Sequence, residues 1–251
     1  MYNKIEMSLL EPEILFTVFG IKITNTLITT ILTDFLLVTI IFMLHKNLSR
    51  YPKKLQSIFE IIINYAYTLT EQIAGKRSKS IFPWFASFFI FIFFSNILGL
   101  LPGVGTIGFF RSSEGGHEIF LPLFRPATSD FNTTFALATV SLLATHALSI
   151  RYNGLRDYLK RFFSFNPVLL FVGILELVSE VTKLFSLSFR LFGNIFAGEV
   201  VLHTISSLFA FVAPIPFLLL EGIVAFVQAL VFAMLTMVFM SILTTPHEEA
   251  H

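Results

Sequence analysis

Apolar stretches of about 20 residues or more alternate along the chain with short clusters of charge. A helix needs about 20 apolar residues to cross a hydrocarbon core about 30 Å thick. The pattern therefore predicts five membrane-spanning helices, over 23–44, 81–101, 131–150, 167–212 and 216–243. Pro102-Gly103 closes the second. Ala213-Pro214-Ile215-Pro216 separates the last two, because a proline pair ends one helix and suits the first turn of the next. A helix of about 45 residues is about 68 Å long, over twice the hydrocarbon thickness. The fourth span is therefore expected to tilt strongly, curve or break outside the core, and to form a hairpin with the fifth.

Residues 55–73 follow another pattern. Leu55, Ile58, Phe59, Ile62, Ala66, Leu69 and Ile73 recur at helical spacing, with Gln56, Glu60, Asn64, Glu71 and Gln72 elsewhere. Basic clusters flank the segment, so it reads as an amphipathic helix lying in the membrane interface. The stretch 103–129 holds Gly103, Gly105, Gly108, Gly115 and Gly116 beside His117 and Glu118, and is expected to be an irregular outer loop. The expected fold is an all-α membrane protein, a single membrane domain over 1–251 with five transmembrane helices and one interfacial helix.

Composition agrees with this. Hydrophobic residues make up 55% of the 251, and charged residues 13%, about half the usual share of a soluble domain. Cysteine is absent, which excludes disulfides, thiolate nucleophiles and cysteine-based metal sites. The net charge of +1 carries no information about partners, but its distribution does. Lys46, Arg50, Lys53, Lys54, Lys76, Arg77 and Lys79 lie between the first two spans, and Arg151, Arg156, Lys160 and Arg161 between the third and fourth. The opposite side has Lys4, Lys22, Arg111 and Arg125. The excess of positive charge predicts an outer N-terminus and a cytoplasmic C-terminus. Residues 1–20 carry Glu6, Glu11 and Glu13 and lack a basic region ahead of an apolar core, so no cleavable signal peptide is expected.

Candidate chemistry centres on Arg190. A cation in mid-membrane costs about 2.5–3.5 kcal/mol or more, so the default reading is functional. At 100° per residue, Glu176, Lys183, Ser186, Arg190 and Asn194 fall within about 80° of one another. Glu199, His203 and Ser206 form a second stripe about 180° away. Two offset aqueous half-paths, each open to one side, need this arrangement; one continuous pore does not. Glu221 and Gln228 share a face of the last helix, about 10 Å apart along its axis. In an antiparallel hairpin Glu221 comes near Glu199 and His203, and Gln228 lies deeper, toward Arg190. Simpler readings stand beside these. Glu221 is within two turns of a helix N-terminus, where the dipole favours an anion. Glu180 and Lys183 are spaced to pair at i, i+3. His203 can be a packing residue, and Ser186 and Ser188 can bond to backbone. Asp34, midway through the first span, reads either as a bundle-facing pair or as a second polar contact to the path.

The segment Ser186-Leu-Ser-Phe-Arg190-Leu-Phe-Gly-Asn194 with Ala197-Gly-Glu199, and Gln228-Ala-Leu-Val-Phe-Ala-Met-Leu-Thr236, resemble subunit a of the F-type rotary ATP synthase. Asn25-Thr-Leu27, Asn96-Ile-Leu-Gly-Leu-Leu-Pro102 and Pro126-Ala-Thr-Ser-Asp130-Phe-Asn132 extend the resemblance over nearly the whole chain. The resemblance implies a non-catalytic stator subunit that passes protons to and from a ring of c subunits. Peripheral-stalk b subunits and the lipid bilayer are the other partners; nucleic acid, cofactor and metal are not implied. Arg190 matches the arginine facing the ring carboxylate. Glu199 and Glu221 match the pair of polar positions in the outer half-channel, and Asn194, Gln228 and Ser186 their polar neighbours. Asp130 matches an acid near the outer entrance, and Glu176 an acid of the inner half-channel. His203 enters from the second stripe alone, and Lys183 and Asp34 are not matched informatively. A bacterial inner membrane is the implied location, with an organelle inner membrane as the alternative. The choice between proton and sodium rests with the surroundings of the ring carboxylate.

The physics runs parallel. A ring carboxylate must be neutral to face lipid, and a fixed cation beside it favours release of its proton. Guanidinium suits this because it does not deprotonate. Two other classes compete. A secondary transporter with a midplane substrate site predicts repeats or paired broken helices, and neither is visible. An intramembrane hydrolase needs a Ser–His or metal constellation, but His146 stands alone in its span and no His-Glu-x-x-His occurs.

Overall fold

The computed structural model describes residues 13–18, 20–46, 54–101, 107–112, 118–162, 167–208 and 213–245. Strands β1 (Ile14–Val18) and β2 (Ile21–Thr24) form an antiparallel hairpin leading into α1 (Asn25–Lys46). Thr24 begins that helix by accepting the Leu27 N–H on its hydroxyl, as an N-cap does. Helices α2 (Lys54–Ala74) and α3 (Ser78–Leu100) follow. A second hairpin pairs β3 (Gly108–Ser112) with β4 (Glu118–Pro122). The chain ends in three long helices, α4 (Phe131–Phe162), α5 (Pro167–Leu208) and α6 (Pro214–Thr244).

Two features depart from the expected pattern. The 103–129 stretch is not wholly irregular: Phe109, Phe110 and Arg111 pair with Leu121, Phe120 and Ile119. Aromatic and β-branched residues favour such pairing, and the surrounding glycines hide the signal. Helix α4 runs past residue 150, but Gly154 interrupts it at φ 79°, ψ 155°. Only glycine holds that conformation without side-chain strain, so 155–162 fold as a separate short segment.

Four stretches among the described residues are long and apolar enough to cross a membrane: Asn25–Met43, Phe59–Leu100, Phe131–Phe162 and Pro214–Thr244. Helix α5 is not among them; it carries Glu176, Glu180, Lys183, Arg190 and Glu199. It runs 42 residues without a break, about 63 Å. The end of its expected span, 209–212, lies outside the described residues. The chain is a predominantly helical, multi-pass membrane protein. Large apolar side chains of α1 stay exposed, among them Ile31, Phe35, Val38 and Phe42, as a surface facing lipid or a partner must be. Asp34 is exposed among them.

The described residues fall into two compact units. One comprises the described parts of Met1–Asn47, Ile90–Thr134 and Leu191–Ala229. Its buried residues include Ile92, Leu191, Ile195, Ala225 and Ala229 together with Asn25, Thr26, Thr29 and Asn96. Thr128 donates to the Asn96 carbonyl, closing the loop before α4 onto α3. The other comprises the described parts of Leu48–Phe89, Phe135–Arg190 and Leu230–His251. There Phe232, Thr236, Met240 and Leu243 recur at helical spacing on the buried face of α6. Phe88 packs on Phe232 at 5.5 Å between ring centroids. Ser141 bonds Thr236 at 2.8 Å, and Ser149 donates to the Leu243 carbonyl at 2.8 Å. Helix α2 forms over the predicted residues; Ser241 bonds its Ile73 carbonyl and Tyr67 packs edge-on against Phe82, while Ile61 and Ile62 remain exposed.

Candidate functional site

Arg190 is the last residue of the second unit before the chain passes, along α5, into the first. It is solvent-exposed and donates to Ser186 one turn earlier at 3.4 Å. A cavity of about 180 Å³ opens beside it, lined by Ser179, Thr182, Lys183, Ser186, Leu187, Arg190, Leu235 and Phe239. That is room for several water molecules. The guanidinium is thus exposed beside a hollow large enough for water.

The remaining polar residues of this unit form two groups. Arg161, on the segment after Gly154, pairs with Glu176. Gly173 makes that approach possible, since a Cβ there would run into the Phe162 carbonyl oxygen. Lys183 Nζ pairs with Glu180 Oε1 at 2.7 Å, the i, i+3 contact anticipated from spacing. The second Glu180 oxygen faces His146 Nε2 at 3.8 Å, and His146 Nδ1 meets the Tyr158 hydroxyl at 3.0 Å. His146 is thus not alone, as its own span suggested; its partners come from α5 and from beyond the Gly154 break.

The first unit holds the carboxylates. The loop after β4 presents Arg125, whose backbone N–H donates to Thr29 at 3.1 Å. Its buried guanidinium forks onto Glu199, with Nε 3.0 Å from Oε1 and Nη2 3.0 Å from Oε2. Only such a bidentate contact offsets the desolvation of a buried arginine. Asp130 is also buried. It caps α4 by accepting the Asn132 N–H at 2.9 Å, and its other oxygen accepts Thr26 at 3.3 Å. A structural duty therefore accounts for this acid's placement.

Glu221 on α6 lies against Gly198, the neighbour of Glu199. A Cβ at Gly198 would come within 2.6 Å of Glu221 Oε1, so glycine is what admits the second carboxyl here. Glu221 is buried, and its Oε2 has no hydrogen-bond partner among the described residues. Asn194 donates to the Gln228 carbonyl at 2.5 Å, joining α5 to α6. His203 and Ser206 are exposed further along α5, outside this bonded cluster of described residues. The structure thus brings Glu199 to Glu221 and Asn194 to Gln228, and leaves His203 and Ser206 apart. It adds Arg125, which sequence reading counted only as a loop charge. The available signal was its place directly before the Pro126–Asn132 motif.

The chain is similar throughout to known proteins. An ATP synthase A chain family matches residues 26–241. ATP synthase subunit a of Moorella thermoacetica is 31% identical over 235 residues, covering 94% of this chain and 97% of that one. Subunit a of Trichlorobacter lovleyi is 31% identical over 90% of this chain and 89% of its own length. That of Syntrophobacter fumaroxidans is 33% identical over 77% and 73%. With the family match running from α1 almost to the end of α6, and the arginine, carboxylates and amides all within it, this chain belongs to the ATP synthase A chain family.

Proposed function

We propose that this chain is the proton-conducting stator subunit in the membrane sector of a rotary ATP synthase, bearing on a ring of c subunits and held by peripheral-stalk b subunits. The observation that carries the reading is Arg190, a guanidinium exposed beside a cavity with room for water on a long helix rich in apolar residues. A ring carboxylate crosses lipid only when neutral. Facing Arg190 it ionises and gives up its proton; past Arg190 it takes another. The guanidinium stays charged throughout and so blocks a direct leak.

In this reading Glu199, Glu221, Asn194 and Gln228 form the outer half-path, with Asp130 at its entrance and His203 further out. Ser186 and Glu176 belong to the inner half-path. Arg125 holds Glu199 in place beside Glu221, and the two carboxyl groups exchange a proton with the ring. The chain contributes no catalytic step of ATP formation; it converts proton flow into ring rotation. A proton crossing 100 mV releases about 2.3 kcal/mol for that purpose. The subunit spans a bacterial inner membrane five times, α2 lies in the interface, the N-terminus is outside and the C-terminus cytoplasmic.

The test is Arg190→Ala in the whole enzyme, reconstituted in liposomes. ATP-driven acidification should disappear while the complex remains assembled. Pumping at the wild-type rate in an assembled variant would overturn the proposal.

A further inference from the structure

We propose that Glu180, His146 and Tyr158 form a proton relay between the cavity beside Arg190 and the water around residues 155–162, an inference that rests on the ion-path reading above. Nothing in the spacing of α5 required these residues to act together, and Glu176 is the acid the family resemblance suggests for this side. Glu176, however, is paired with Arg161. Glu180 is buried, and only one of its oxygens is taken, by Lys183 at 2.7 Å. The other has no hydrogen bond among the described residues and faces His146 Nε2 at 3.8 Å. A movement of about 1 Å, or one bridging water, closes that gap. His146 Nδ1 already meets the Tyr158 hydroxyl at 3.0 Å.

Both ends of this line reach water. Lys183 borders the 180 Å³ cavity that includes Arg190. Lys183 and Glu180 also border a second hollow of about 10 Å³, with Ser141 and Thr145 on its wall. That is room for about one water. At the far end, Arg156, Asp157 and Lys160 are exposed around Tyr158, and Asp157 pairs with Lys160 at the surface. The Gly154 turn is what carries Tyr158 back to His146.

The transfer balances. A proton arriving from the cavity binds Glu180 Oε2 and passes to His146 Nε2. The imidazole releases its Nδ1 proton to the Tyr158 oxygen, and the tyrosine O–H bond breaks toward water. A turn of the imidazole ring lets water on one side take the Nε2 proton and return one at Nδ1, and the turn back restores the starting tautomer. Lys183 keeps its charge and anchors Glu180. The charged and titratable groups facing His146 are Glu176, Glu180, Lys183, Arg161 and Tyr158.

The experiment uses the assembled complex in liposomes. Passive proton flux through the membrane sector, stripped of its catalytic head, is driven by a potassium diffusion potential. Glu180→Gln and His146→Gly should each lower the flux at least about a hundredfold, the lower end expected for removing a proton-transfer group. Glu180→Asp should recover part of it. Added imidazole should restore His146→Gly, and the flux should lose its dependence on pH at the 155–162 side. Wild-type flux in either variant, or a loss in His146→Gly that imidazole does not relieve, overturns the relay. If Glu180→Gln fails to assemble, His146→Gly with imidazole decides alone. ATP-driven pumping by Arg190→Ala in the intact complex, before the catalytic head is removed, separates the two proposals. Pumping that survives Arg190→Ala sinks the ion-path reading; its loss there, with normal flux in Glu180→Gln, sinks only the relay.

Discussion

Each cationic residue near the candidate site meets a different environment, and substitution should read those differences out. Arg190 is exposed and donates to the Ser186 hydroxyl, so Arg190→Lys should fold and still fail to pump. Ammonium loses its charge more readily in low dielectric and cannot present a planar fork. An assembled Arg190→Lys enzyme that pumps normally would contradict this. Arg125 is buried and forked onto Glu199. Arg125→Gln leaves that carboxylate without its partner and should cost about 1–3 kcal/mol of stability. Proton flux should fall with it, and Arg125→Lys should return only part of both; thermal melting alongside flux measurement checks the pair. Burial pushes the Glu13 carboxyl above its ordinary value of 4.5, against the opposing pull of Arg125. The folded protein then holds that proton more tightly than the unfolded chain does. Stability should therefore fall as pH rises from 4.5 through the raised value. Glu13→Gln should remove this part of the slope in melting curves taken across that range, and an identical slope would disprove it.

At the scale of elements, glycine decides where helices approach and where they stop. A side chain at Gly198 collides with Glu221, so Gly198→Leu should displace that carboxyl and cost about 1–3 kcal/mol from overpacking. Flux should drop in an assembled complex, whereas Gly222→Ala, where a Cβ meets no neighbouring atom, is the control expected to remain normal. Equal effects at both positions would count against the close approach. The amphipathic pattern of 55–73 does appear as the helix Lys54–Ala74, because its periodicity is local. The pairing of Gly108–Ser112 with Glu118–Pro122 does not show in the linear pattern, because it is a contact between separate segments that glycine-rich composition conceals.

For the whole molecule, the two stripes along α5 make a prediction about access. Cysteines placed at Glu176 and Ser186 should react with impermeant reagent from the cytoplasmic side. Those at His203 and Ser206 should react from the outer side. Access to any two of these from both sides would favour a simple channel over offset half-paths. Labelling of the first pair from outside alone would invert the orientation drawn from loop charge.

Much of the fold and part of the site were legible in the linear sequence. The positions of the long helices, the α5–α6 separation at Pro214, the helix at 54–74 and the polar periodicity of α5 each depend on neighbouring residues and on whether they prefer water or an apolar surrounding. Those preferences act residue by residue, so one-dimensional reading captures them. The motif around Arg190 also sufficed to name the family. Tertiary structure alone decided which charges meet. Arg125 reaches Glu199 across 74 positions of sequence, and Asn194 reaches Gln228 across 34. His146 gains Glu180 from another helix and Tyr158 from beyond a glycine break. Periodicity records the face on which a side chain sits, but a buried charge is stabilised by a partner on another element. Only packing brings that partner within hydrogen-bonding distance.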